Sequence, residues 1–188
     1  MAFELEYLGL GSLEQLFILT KINQFLNGNE VFYIARGIAL ALEYLHSMQI
    51  IHADVKLANI LLSSSLQPKV ADFGLARYAP NGHLSNASAF SFTQSHMIAA
   101  PETLRKPKNQ RVITNKVDVW SFGCVLYTLV TGCLPLNLTK EWQFLDEEKA
   151  GKAVLELLDN KDERLLENRQ LLRYVENQAA IVEVEKYF

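Results

Sequence analysis

Two aspartates, a lysine and an asparagine carry the chemistry that this sequence could perform. Asp54, Lys56 and Asn59 lie close together in "HADVKLAN" (His52 to Asn59), and Asp72 follows thirteen residues after Asn59, in "VADFG". Both aspartates come after short apolar runs of β type. Asn59 stands five residues after Asp54. A loop of that length can aim the Asp54 carboxylate at a hydroxyl while the amide faces a cation beside it. Asp72 precedes Phe-Gly, where Gly74 permits a sharp turn. Carboxylate and amide oxygens are the ligands that Mg²⁺ prefers, usually few of them, with phosphates and water completing the shell. Lys56 supplies a compact positive charge suited to a phosphoryl oxygen. Two oxygen ligands, one further carboxylate and one lysine suit phosphoryl transfer, which depends on positioning and charge stabilisation. Singly, each residue is ordinary, since a loop Asp usually caps or solvates and an Asn usually forms a turn. The ordered set carries the reading.

The elements around these residues must hold them in place. Residues 1–8 read as a short strand ending in the Gly-rich "GLGS". Ser12 followed three residues later by Gln15 predicts a capped helix start. "GNEVFYIARGIALALEYLHSM" is the strongest helix signal, with Phe32, Ala35, Ile38, Ala39, Leu42 and Leu45 recurring at three- and four-residue steps. Short strands are expected at "II" before His52, at Ile60–Leu62 and at "KVA" before Asp72, with "SSSLQP" as a turn. Residues 78–98 are rich in Ser, Asn and Ala, lack a period and read as a long loop. Residues 105–116 are polar and basic, without an acid, and read as a second exposed loop. "VDVWSFGCVLYTLVTG" is apolar almost all round, which predicts a central buried helix ending at Gly132. From Thr139 onward the chain is charged and of helical pattern.

Bulk properties narrow the function classes. The chain has 188 residues, 49% hydrophobic and 21% charged, enough for one domain or a large part of one with its own core. The net charge of −3 supplies no global basic field for nucleic acid or an anionic membrane. The N-terminus has no basic start, and its apolar run is interrupted by Glu4 and Glu6, unlike a signal peptide. "FGCVLYTLV" is about half of what a bilayer span needs. Cys124 and Cys133 form no disulfide or zinc pattern and read as buried thiols of a reducing, cytoplasmic compartment.

Four ordered segments, "IIHADVKLANILL", "KVADFGLAR", "AAPETL" and "KVDVWSFGCVLYTLVTG", resemble the consecutive signatures of the eukaryotic protein-kinase large lobe, of Ser/Thr or receptor-kinase-like type. The resemblance implies an α+β, kinase-like fold: a mostly helical large lobe, short β-strands around the catalytic loop and the small lobe largely absent. It implies a hinge over 1–14, catalytic and metal loops over 45–74 and an activation segment over 74–102. The central helix then spans 117–132, and a divergent helical part 139–188. Asp54 would accept or orient the proton of a protein hydroxyl, and Lys56 would contact the transferred phosphoryl group. Asn59 and Asp72 would hold Mg²⁺. Glu6 to Leu8 would bind the adenine of ATP through the backbone, with Leu61 beneath it. Phe73 would pack on His52, and Asp118 would brace the catalytic loop by accepting backbone N–H groups. Ser85, Ser88, Ser91, Thr93 and Ser95 would be phosphorylation candidates.

The sequence also departs from the family. Ala53 stands where an arginine commonly pairs with a phosphorylated activation loop, which implies control by other means. "TQSHMIAAPE" lacks the usual Gly-Thr-x-Gly-Tyr run. The Gly-rich loop, strand lysine and helix glutamate of a small lobe have no counterpart, and "GLGSLE" does not replace them because Glu14 stands at the third glycine position. A partner for Glu102 is sought among Arg164, Arg169 and Arg173. The favoured reading is a protein Ser/Thr kinase, incomplete or inactive as this chain alone. The alternative is a pseudokinase-like truncated interaction module, whose uncovered small-lobe docking face would take a protein regulator. A small-molecule kinase of the same fold is disfavoured by Ala100–Pro101–Glu102 and the buried helix.

Overall fold

The computed structural model describes residues 6–20, 26–85, 99–104, 112–132 and 135. Its first helix, α1 (Leu13–Thr20), opens on the expected cap. The Gln15 N–H donates to Ser12 Oγ at 3.2 Å and the Ser12 N–H to Gln15 Oε1 at 2.9 Å. Helix α2 (Gly28–Ser47) opens on a second reciprocal cap, between Asn27 and Glu30. The buried stripe of α2 is Val31, Ile34, Ile38, Leu42 and Leu45. It coincides with the expected face from Ile38 onward, but at the start of the helix Phe32 lies outside it and is 38% exposed. A short helix, α3, covers Pro101–Leu104.

Helix α4 (Lys116–Thr131) stops at Gly132, which is left-handed (φ +67°) and donates its N–H to Thr128 O at 2.8 Å. Burial along α4 is uneven. Val117, Asp118, Cys124, Val125 and Leu129 are buried, whereas Val119 is half exposed. Burial pushes the Cys124 thiol up to about 12, so it remains a protonated, inert core group. Cys133, the helical part expected over 139–188, Arg164, Arg169, Arg173 and the candidates Ser88, Ser91, Thr93 and Ser95 lie outside the described residues.

The strands are short and all antiparallel. β1 (Gly11–Ser12), β3 (Ile60–Leu62) and β4 (Pro68–Val70) form one sheet in the order β1-β3-β4. β2 (Ile50–Ile51) pairs with β5 (Arg77–Tyr78). β6 (His83–Ser85) pairs with β7 (Val112–Thr114). Two expectations need correction. Of the strand read over 1–8, residues 6–8 are irregular and residues 1–5 lie outside the described residues, while the stretch that pairs with Leu61–Leu62 is Gly11–Ser12. β6 and β7 fall in stretches read as loops. Three residues are too few for a periodic signal, and the anchor is the fully buried Ile113 in the β-branched triplet of β7.

Two apolar clusters underlie these elements. The larger joins α1, α2, β3 and α4 through residues such as Leu13, Ile38, Ile60, Leu62 and Leu129. The smaller consists of Ile51, Ala53, Ala79, Ala100, Ile113 and Val117, with Leu84 and Trp120 against it. Packing of α2 on β4 requires a glycine, since a Cβ on Gly37 would stand 2.4 Å from Pro68 Cγ and 3.0 Å from its Cδ. Gly37→Ala should therefore destabilise the chain by about 1–3 kcal/mol, although alanine is the better helix former. Pro68→Ala in the same chain should restore most of the loss, as read from urea midpoints.

Candidate active site

The three-stranded sheet brings the candidate residues into one neighbourhood. β3 begins at the residue after Asn59, and β4 ends two residues before Asp72. The ladder extends past both strands, because the Ala71 N–H donates to Asn59 O at 2.8 Å. Asn59 and Asp72 therefore leave the sheet at the same end. Before β3 the chain makes a single 3₁₀ turn, Leu57–Asn59, closed by the Asn59 N–H on Lys56 O at 2.9 Å. That turn folds Asn59 back on Asp54. Asn59 Nδ2 donates to Asp54 O and to Asp54 Oδ2, both at 2.8 Å, and Lys56 Nζ reaches the same Oδ2 at 2.8 Å. Both side chains of the ion pair are largely shielded, at 23% for Lys56 and 11% for Asp54. Shielding strengthens the attraction relative to a surface pair. With its nitrogen on Asp54, the Asn59 amide turns its oxygen the other way.

Asp72 departs from expectation in one respect. The left-handed residue is Asp72 itself (φ +61°), not Gly74. Aspartate tolerates this region better than most side chains. Its Oδ1 accepts the Gly74 N–H at 3.1 Å, and a Cβ on Gly74 would stand 3.1 Å from that oxygen. The glycine thus eases a close approach and is not the left-handed residue of the turn. Behind Asp72 lies His52, which is fully buried. Its Nδ1 accepts the Asp54 N–H at 3.3 Å, and its Nε2–H donates to Ala71 O at 3.0 Å. Those two bonds define a neutral ring with the proton on Nε2. The Phe73 ring meets it edge-on at 5.0 Å. His52 thus spans the two aspartate loops as a structural group.

Asp118 fastens this loop to the helices. Fully buried in the first turn of α4, it accepts the His52 N–H (2.9 Å, Oδ2), the Ala53 N–H (2.7 Å, Oδ1) and His46 Nε2 (2.8 Å, Oδ2). A buried carboxylate needs such donors, and the helix N-terminus adds a favourable field. Ala53 is held left-handed (φ +64°), a conformation that costs an alanine roughly 1–2 kcal/mol and persists because Asp118 fixes its N–H. The motif reading anticipated the two backbone donors but passed over His46. Its signal was the lone imidazole in "EYLHS", on the last turn of an otherwise apolar-faced helix.

The remaining candidates form a second group. Leu61 pairs with Ser12 on one side and Lys69 on the other, on the face of β3 opposite the buried Ile60 and Leu62. Lys69 Nζ lies 3.2 Å from Glu6 Oε2, and Leu8 O accepts the Gly11 N–H at 3.1 Å. The sheet links Glu6, Leu8 and Leu61 to the Asp54 group, without a direct hydrogen bond between the two among the described residues. Also among these residues, no helix is long and apolar enough to cross a membrane.

A helical body with short antiparallel strands, a loop joining Asp, Lys and Asn, and a second Asp before Phe-Gly agree with the resemblance to protein-kinase signatures in the sequence. The family model described as "Protein kinase domain" matches residues 1–179, and the chain belongs to that family. It is similar to the probable serine/threonine-protein kinase PBL21 of Arabidopsis thaliana, at 38% identity over 71% of this chain and 35% of that protein. It is also similar to the probable serine/threonine-protein kinase PBL5 of the same plant, at 37% identity over 72% of this chain and 32% of that protein. A third relative is the serine/threonine-protein kinase ppk21 of Schizosaccharomyces pombe, at 32% identity over 61% of this chain and 21% of that protein. The chain thus spans about a fifth to a third of the length of these relatives.

Proposed function

We propose that these residues form the large-lobe machinery of a protein Ser/Thr kinase, which moves the γ-phosphoryl group of ATP to a serine or threonine hydroxyl. The observation that carries this reading is the convergence of Lys56 and Asn59 on Asp54 Oδ2, with Asp72 one residue beyond the bond from Ala71 to Asn59. In this reading Asp54 takes or orients the substrate hydroxyl proton, and Lys56 swings onto the transferred group. The Asn59 oxygen and the Asp72 carboxylate are the Mg²⁺ ligands. The fit lies in the donor set: one amide oxygen turned away from Asp54 and one exposed carboxylate suit an ion that relies on phosphates and water for its other positions. Bound Mg²⁺ supplies charge neutralisation on the phosphates. Leu61 offers an apolar floor for adenine beside the Glu6–Leu8 backbone. Lysine two residues after Asp54 and the names of the relatives favour serine and threonine over tyrosine. We assign the activity to the cytoplasm, where ATP and reduced thiols are found together.

The metal assignment is tested by ATP binding to the chain joined to a kinase small lobe. Mg²⁺ should tighten ATP binding, and Asp72→Asn should reduce that gain about tenfold or more, while Asp54→Asn leaves it within about twofold. Equal binding with and without Mg²⁺ in the unsubstituted protein would refute the assignment.

A further inference from the structure

Gln49 lies outside the phosphoryl-transfer group, in the turn between α2 and β2, and is left-handed (φ +59°). It holds three consecutive residues of the distant 78–80 stretch. Its carbonyl accepts the Ala79 N–H at 2.7 Å. Its Nε2 donates to Pro80 O at 2.9 Å, and its Oε1 accepts the Tyr78 hydroxyl at 3.1 Å. Its own N–H donates to the carbonyl of His46, whose imidazole bonds Asp118. The residue at the centre of this grip, Ala79, is 1% exposed and belongs to the small apolar cluster with Ile51, Ala53 and Ala100. Ala100 directly precedes α3, so the cluster joins both described ends of the 79–100 stretch to the loop that carries Asp54. The side chains of that cluster are apolar, Ala53 among them, and the bonds from Gln49 to residues 78–80 join neutral groups.

We infer that Gln49 is a positioning residue: it seats residues 78–80 against the catalytic loop, with Ala79 as an apolar peg, so that neutral hydrogen bonds and apolar contact set the protein-substrate side of the site. The inference rests on the reading of residues 74–102 as an activation segment that receives protein substrate. The geometry of the Gln49 grip does not depend on that reading.

The test uses Gln49→Gly. Glycine keeps the left-handed turn without strain and keeps the carbonyl at position 49, so only the two side-chain bonds are lost. In the 188-residue chain the Ala79 amide should exchange with solvent roughly tenfold faster, as expected for losing two partly exposed neutral hydrogen bonds. The Ile38 and Leu42 amides of α2 should not change. In the chain joined to a small lobe, KM for a protein substrate should rise about fivefold or more as the seated population falls, with kcat and the KM for ATP within about twofold. Unchanged Ala79 exchange overturns the grip, as does equal acceleration at Ile38 and Leu42. Faster Ala79 exchange with an unchanged protein KM overturns the positioning role. The kinase reading fails separately, if Asp54→Asn retains full activity, and the exchange result still decides the grip.

Discussion

Asp54→Asn should lower phosphoryl transfer by roughly 10²–10⁴-fold in the chain joined to a small lobe, the range for loss of a positioned acid–base group. The substitution is nearly isosteric, so the expected loss is chemical. Asp54 Oδ2 receives Lys56 Nζ and Asn59 Nδ2, each at 2.8 Å. Asparagine can offer its oxygen to those two donors, but it carries no charge to orient Lys56 and takes no proton from a hydroxyl. The His52 contact to the backbone of residue 54 is unaffected, because it uses the N–H alone. ATP affinity should therefore change little while kcat collapses. A parallel loss of ATP binding would show that Asp54 holds nucleotide instead.

Asp118→Ala should be the most damaging of these changes to the fold, at about 3–5 kcal/mol. Such a loss is about a fifth or more of the stability of an ordinary domain. The carboxylate is completely buried and serves three donors from two places, the end of α2 and the loop at His52 and Ala53. Its removal leaves the His52 and Ala53 N–H groups buried without an acceptor. It also releases Ala53 from the left-handed backbone that those bonds enforce. Asp118→Asn should cost less, since one oxygen remains and only one face of the amide opposes a donor. Urea midpoints of the two variants give the comparison, with alanine expected below asparagine and both below the parent. An alanine variant as stable as the parent would remove Asp118 from its role as a brace.

The grouping of the candidate residues was more legible in the sequence than the frame that holds them. The proximity of Asp54, Lys56, Asn59 and Asp72 could be read because it is set by a short turn and two adjacent strand ends, all local in the chain. Helix ends were legible for the same reason: Ser12 with Gln15, and Gly132, act within a few residues. The buried stripe of α2 was legible only from Ile38 onward, since Phe32 and Val31 are equally apolar and only packing decides which faces inward. Long-range partners left little trace. The lone imidazole of His46 is the one sequence hint, it does not name Asp118 as its partner, and nothing near Gln49 signals that it meets residues 78–80. β6 and β7 were hidden because each is three residues long and their stability comes from pairing and the burial of Ile113. Left-handed backbone at Ala53 was hidden too, because the long-range bond to Asp118 holds it in a residue that does not favour it.

The central claim is tested most directly by phosphoamino-acid analysis of a mixed peptide substrate after incubation with Mg²⁺, γ-labelled ATP and the chain joined to a kinase small lobe. The account predicts labelled phosphoserine and phosphothreonine, little phosphotyrosine, and no label above background with the Asp54→Asn variant. A folded protein that binds Mg²⁺–ATP but transfers no label to any hydroxyl would contradict it.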